Sequence, residues 1–200
     1  MGCLNVIIDS DIIFLLVSIP RPHYFNLLKT VLKWQVFISQ EIEEEIEDLV
    51  SSSLKEKLLK EGVWEYFSPS GLQQAKEIVR KYKDLRKIIH KGEASCYAIA
   101  YCAGFSVLSH DHEANRLLPL EIREKVKWYS FYEMVYLLNR ETAISDQEAE
   151  ECIKSLVQVP TFTLPIAIRQ RGFSTIKEIF DRKYSPKILP RNGKKGLPSG

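Results

Sequence analysis

The chain lacks a long apolar run, a paired set of cysteines and any strong net charge, and each shortage excludes something. The apolar stretch near its start is interrupted by Asp9 and Asp11. It is too short to span a bilayer, which takes about 20 predominantly apolar residues, so no membrane partner is expected. The four cysteines, Cys3, Cys96, Cys102 and Cys152, form no CxxC pair and have no metal-like spacing with histidine. No secretory signal is recognisable ahead of them, so reduced thiols and a cytoplasmic location are expected rather than a disulfide framework. Met1-Gly2-Cys3 opens like a myristoylation signal, but Val6 stands where Ser or Thr is needed. A formal net charge of +2 gives no overall field that announces a nucleic-acid binder. No internal repeat is visible.

What is present suits one globular domain with a modest extension. The chain has 200 residues, 45% of them hydrophobic, enough to bury a core. Charge is unevenly spread: Glu41 to Asp48 carries six acids, whereas Arg182 to Gly200 carries six basic residues and no acid. Asn5-Val-Ile-Ile-Asp9 reads as a buried strand ending in an acid, with a helix starting near Asp11 and stopped by Pro20 and Pro22. A short helix over Tyr24–Lys33 and a strand over Gln35–Ile38 follow. Ser39 is placed to cap a helix with Ile42, Ile46, Leu49 and Val50 as its apolar stripe.

Val63–Phe67 reads as a weak edge strand, Gly71–Ile89 as a charged amphipathic helix, and Glu93–Cys102 as a helix whose small residues fit it against a sheet. Gly104 is placed to end that helix before a strand over Phe105–Leu108. A further strand over Lys127–Tyr129 and a helix over Tyr132–Asn139 complete the alternation. Strands alternating with helices imply a mainly parallel sheet covered on both faces, a three-layer α/β/α fold spanning residues 1–140. After Arg140 the alternation stops. Helices are expected over Asp146–Leu156 and Ser174–Phe180, with an extended stretch over Pro160–Pro165 between them. Residues 141–184 thus form a helical extension that packs on the domain, dimerises or binds a partner, and residues 185–200 a flexible basic tail.

Ligands in open α/β sheets bind beyond the carboxyl ends of the strands. Asp9 and Asp111 both follow expected strands, and Glu93 opens a helix whose dipole favours an ionised carboxylate. Glu45 lies one turn beyond Ile42, where it can flank the buried stripe, as Glu43 can from the other side. Each acid alone also has an ordinary role. Asp9 and Asp111 suit helix N-caps, Glu93 suits a first-turn acid, and Glu45 suits a solvated face.

Together these segments resemble the PIN-domain nucleases, in particular the small ribonuclease toxins of toxin–antitoxin systems. Val6-Ile-Ile-Asp9-Ser10 resembles that family's opening strand and first acid. Phe37-Ile-Ser-Gln-Glu-Ile42-Glu-Glu-Glu45 resembles its second strand and helix, Gly92-Glu93-Ala-Ser-Cys-Tyr-Ala98-Ile-Ala100 a helix start found in one of its branches, and Val107-Leu-Ser109-His-Asp111 the strand ending in its last acid. The likeness spans roughly Asn5 to Asn139. It departs from the pattern at Asp11, where a small polar residue is usual, and at His110 and His112, which flank the last acid.

The resemblance implies Asp9, Glu45, Glu93 and Asp111 as catalytic residues holding Mg²⁺ or Mn²⁺, with Asp11 a fifth candidate ligand. It implies hydrolysis of RNA to 5′-phosphate and 3′-hydroxyl ends, and a small antitoxin protein as partner. Ser10 and Ser109 are placed to orient these carboxylates, and Lys91 and Arg116 to grip phosphates, with Arg86 and Lys87 as further candidates. Three other readings compete. Asp9-Ser-Asp11 is similar to the opening of haloacid-dehalogenase-type phosphohydrolases, although Ile12-Ile13-Phe14 departs from that pattern. His110-Asp-His112 has the spacing of a transition-metal pair. A PIN-like domain kept only for binding is the third.

Overall fold

The computed structural model describes residues 3–19, 24–47, 50–156 and 164–185, apart from the side chains of residues 53, 54 and 57, and among these residues five short strands are interleaved with twelve helices. The order is β1 (Leu4–Ile8), α1 (Ser10–Ser18), α2 (Tyr24–Thr30), β2 (Trp34–Ile38), α3 (Gln40–Ile46), α4 (Ser52–Lys60) and β3 (Trp64–Tyr66). There follow α5 (Leu72–Leu85), α6 (Lys91–Ala103), β4 (Ser106–Leu108), α7 (His112–Leu117), α8 (Leu120–Lys125), β5 (Trp128–Tyr129) and α9 (Phe131–Arg140). The chain then runs through α10 (Asp146–Ser155), α11 (Ile166–Arg171) and α12 (Phe173–Tyr184).

The strands form one sheet in the order β3-β2-β1-β4-β5, and every pairing is parallel. β1 is central, with Val6 opposite Val36 on one side and Ser106 on the other. Val6, Ile7 and Ile8 are each 0% exposed. Successive strand side chains point to opposite faces, so both faces of β1 are covered and the fold has three layers. Burying aliphatic side chains of this size contributes about 1.5–3 kcal/mol each relative to leaving them in water. β3, at the edge, buries Trp64 but exposes Glu65 and Tyr66.

α6 packs on β1 and β4. Ala94, Ser95, Ala98 and Ala100 along it are buried, and their small size is what lets the helix axis approach the strands. Gly104 ends the helix in the left-handed region at φ 75°, its amide donating to the Ala100 carbonyl, a conformation that costs glycine no Cβ clash. Ser39 caps α3 by accepting from the Ile42 amide, and Ile42, Ile46 and Val50 are buried as the apolar spacing requires.

The extension packs on the domain through α12. The Glu133 carboxylate on α9, 1% exposed, accepts from Lys183 Nζ at 2.7 Å and from the Tyr184 hydroxyl. Tyr136 of α9 donates its hydroxyl to Asp181 at 2.8 Å and stacks on Tyr184. Lys177 reaches Asp146 at the start of α10.

Three helices, α4, α8 and α11, were not expected from the sequence. α5 stops at Leu85 rather than Ile89, because Arg86 to His90 turns to bring α6 under the sheet. Pro20 and Pro22, Leu49, the stretch from Pro160 to Thr163 and the tail beyond Ser185 lie outside the described residues. Among the described residues no helix is long and apolar enough to cross a membrane.

Candidate active site

From the central strand β1 the chain moves outward to β2 and β3, then returns to the other side of β1 for β4 and β5. This reversal opens a crevice at the carboxyl ends of β1 and β4, the place where open α/β sheets receive ligands. Two backbone bonds knit the strand ends there: the Asp9 amide donates to Leu108 O at 3.0 Å and the Ser109 amide to Tyr129 O at 3.1 Å. Asp9 and Asp111 therefore flank the crevice.

Asp9 is 1% exposed and caps α1 with one oxygen, Oδ1 accepting from the Ser10 amide at 2.8 Å. Asp111 caps α7, Oδ1 accepting from the Ala114 amide at 2.8 Å. Both carboxylates thus perform the structural role open to an acid after a strand, and each does so with one oxygen only. Asp11, two residues into the same corner, accepts from the His110 amide through Oδ2 at 2.8 Å. Asp9 Oδ2 and Asp11 Oδ1 are buried and meet no donor in bonding geometry among the described residues. A buried carboxylate oxygen without a partner is costly.

Burial raises the Asp9 carboxyl well above the ordinary range, and the charges of Asp11 and Glu93 add to the effect. The Ser109 hydroxyl and the Ser10 amide partly offset it. Burial likewise pushes Asp11 up to about 7, against the amides of His110 and Ile12 and with help from Glu93 and Asp111. Burial is again the main cause at Glu93, followed among the raising effects by Asp111 and Glu45. Each acid feels the next, so the five carboxylates form one electrostatic cluster.

Glu45 belongs to it for a reason not visible in the helical spacing of α3. Its Oε2 accepts from the Ser10 hydroxyl at 2.7 Å. Its carboxylate also lies over Gly92, where an added Cβ would stand 2.5 Å from Oε2. Glu43, which flanks the same stripe, instead accepts from the Tyr66 hydroxyl at the sheet edge. The Ser109 hydroxyl oxygen accepts from the Asp111 amide at 3.1 Å, and Ser109 lies close enough to Asp9 to offset part of its rise. Ser10 contacts its carboxylate directly, and Ser109 acts on the corner through the backbone of Asp111.

The cations expected to grip phosphates are arranged differently. Lys91 pairs with Glu44 at 3.5 Å, and Arg116 is exposed on the last turn of α7. Gly92 and Tyr97 were missed. Gly92 is the seat of Glu45, and a glycine inside the first turn of a helix was the available signal. Tyr97 is buried, with its hydroxyl 3.4 Å from Asn115 Oδ1, and its ionisation is suppressed by burial and by the surrounding acids. Burial pushes His110 down to about 4, so at neutral pH it adds no positive charge to the corner.

The donor set is hard oxygen, as Mg²⁺ and Mn²⁺ prefer. The two buried oxygens without donors and the mutual repulsion of the acids are what a divalent cation would relieve. Among the described residues no group of three His, Cys, Asp or Glu side chains is placed to hold a metal ion. The donor set suits such a cation in charge and hardness alone. No family model matches the chain, and no curated protein is found similar to it.

Proposed function

We propose that this chain is a divalent-cation-dependent nuclease that hydrolyses phosphodiester bonds at the crevice between β1 and β4. The observation that carries this reading is the pair of buried, donorless oxygens on Asp9 and Asp11, set among Glu45, Glu93 and Asp111 at the topological switch point. Asp9, Glu93 and Asp111 would hold the cation, with Asp11 and Glu45 completing the charge around it. Mg²⁺ or Mn²⁺ bound there supplies charge neutralisation and activation of water for in-line attack.

The residues of the chain divide the remaining work. Ser10 holds the Glu45 carboxylate in place, and Ser109 holds the Asp111 amide beside Asp9. The buried aliphatic floor formed by Ile8 and Leu108 lowers the local dielectric, which strengthens every charge interaction above it. The bond broken joins phosphorus to the 3′ oxygen, and water contributes the new oxygen on the 5′-phosphate. RNA as substrate, and a small antitoxin that covers the acidic corner, follow from the resemblance of the four segments to PIN-domain toxins.

Cleavage of labelled single-stranded RNA with about 10 mM Mg²⁺ tests the reading. Wild-type cleavage is expected to vanish in EDTA and to fall by about a hundredfold or more in Asp9→Asn. Equal activity in the two proteins would remove the catalytic reading and leave a binding module.

A second reading has one observation in its favour. An Asp11 carboxyl near 7 suits the general acid of a haloacid-dehalogenase-type phosphohydrolase, with Asp9 as nucleophile. The upward push on Asp9 itself disfavours the anionic nucleophile that chemistry needs. An aspartyl-beryllofluoride adduct on Asp9 would establish it.

A further inference from the structure

A second cavity opens directly onto the acidic corner. It is a groove of about 390 Å³ between the α5–α6 turn and α7, and Asp111 lies in its wall. One side carries Arg86, Lys87 and His90; the other carries Glu113 and Leu117 beside Asp111. Arg86 and Lys87 are exposed at its rim. Arg86 is steadied by donating to the Ile89 carbonyl at 3.4 Å, and Lys87 by Asp84 at 2.9 Å. His90 lies close enough to Glu93 to act on its charge. The groove and the carboxylate cluster are therefore continuous.

We propose, resting on the nuclease reading above, that this groove holds the strand flanking the scissile phosphate of a single-stranded nucleic acid, and holds it by phosphate rather than by base. Cations lie on the wall away from the acids, as a strand whose reacting phosphate sits at Asp111 requires. Among its described lining residues there is no Phe, Tyr or Trp, and His90 is the one ring, so the row of aromatic side chains on which single-strand binders stack successive bases is missing. Ile88 and Leu117, 44% and 55% exposed, offer apolar contact without direction. Such contact serves splayed bases of any identity, whereas a duplex keeps its base faces stacked and out of reach. A grip of this kind is salt-sensitive and blind to sequence.

Fluorescence anisotropy of fluorescein-labelled single-stranded oligo-A and oligo-U, with the full chain in Ca²⁺ across a potassium chloride series, tests the assignment. A strand loses about 0.7 in the slope of log K against log salt for each phosphate contact removed. Arg86→Gln/Lys87→Gln is expected to weaken both oligomers alike and to flatten the slope by about 1.4. The control Lys154→Gln/Arg169→Gln, on α10 and α11, is expected to change neither. Wild-type affinity and slope in the Arg86/Lys87 variant overturn the groove, as does an equal loss in the control. A loss confined to one homopolymer overturns grip by phosphate. Failure of the wild-type protein to bind either oligomer removes the nuclease reading itself, a different result from binding that ignores Arg86 and Lys87.

Discussion

The Ser10 hydroxyl donates to Glu45 Oε2 at 2.7 Å, tying the first turn of α1 to the last turn of α3 across 35 residues of chain. The bond fixes a carboxylate that the spacing of α3 would leave in solvent. Ser10→Ala is expected to lower cleavage about tenfold, the scale typical of groups that orient metal-holding residues. Melting should move little, since the pair is only part-buried. A higher Mg²⁺ requirement with an unchanged maximum rate would place the loss in cation binding; a rate unchanged at all Mg²⁺ concentrations would separate Glu45 from the chemistry.

Gly92→Ala sets helix stability against the site. Alanine favours a helix over glycine by up to about 1 kcal/mol, yet its Cβ would press on Glu45 Oε2 at 2.5 Å. The carboxylate is the free end of a flexible side chain, so it moves and the helix stays. The expected variant melts within a few degrees of wild type while cleaving at least about tenfold more slowly. Circular dichroism melts beside a cleavage assay read both effects, and a variant with full activity would contradict the seat assigned to Gly92.

The raised carboxyls give a pH signature. Asp11 moves from 3.8 to about 7 on folding, so the folded state holds its proton more tightly than the unfolded chain. The stability this contributes is complete below about pH 4 and is lost as pH rises to about 7. The raised value of Asp9 acts in the same sense. Cation-free protein should therefore become less stable across that window, and Mg²⁺ should restore stability where the carboxylates are ionised. Thermal melts with and without about 10 mM Mg²⁺ should differ by several degrees near pH 8 and by much less near pH 5. An equal shift at both pH values would exclude these acids as the cation site.

The extension is expected to matter for stability rather than cleavage. Glu133 is 1% exposed and paired with Lys183, which is half-exposed, and with Tyr184. Glu133→Gln removes a buried charge and weakens both bonds, a net loss of about 1–2 kcal/mol after allowing for solvent around Lys183. Limited proteolysis should then cut within α12 faster than in wild type, with RNA cleavage per folded molecule unchanged. Protection equal to wild type would mean that the other ties of α12, those of Tyr136 and Lys177 among them, hold the helix without Glu133.

The sheet was legible in the sequence wherever burial was continuous. Val6 to Ile8 and Val107-Leu108 are apolar on both faces, a pattern open to few other structures. α8 and α11 were not, because each spans only six residues and sits between prolines, turns and loops; α4, nine residues long, was hidden by its serines and lysines instead. Asp9 and Asp111 were readable from strand ends, since topology alone carries them to the crevice. Glu45 was readable only by resemblance, because its placement depends on a hydroxyl 35 residues earlier and a missing Cβ 47 residues later. The groove cations Arg86 and Lys87 lie in a turn, whose path is set by the helices it joins. Local spacing favoured Lys91 instead, and α6 turns that side chain toward Glu44.

The reversal of strand order also bears on how the protein is made. Asp9 and Glu45 emerge from the ribosome early, but β4 and Asp111 follow about a hundred residues after Asp9. β1 has no neighbour on its second side until β4 is synthesised and docks. A nascent chain can therefore form the pair β1–β2 and still present only half of the acidic corner. If the corner cuts RNA, a nascent chain cannot do so until β4 has emerged and docked beside β1.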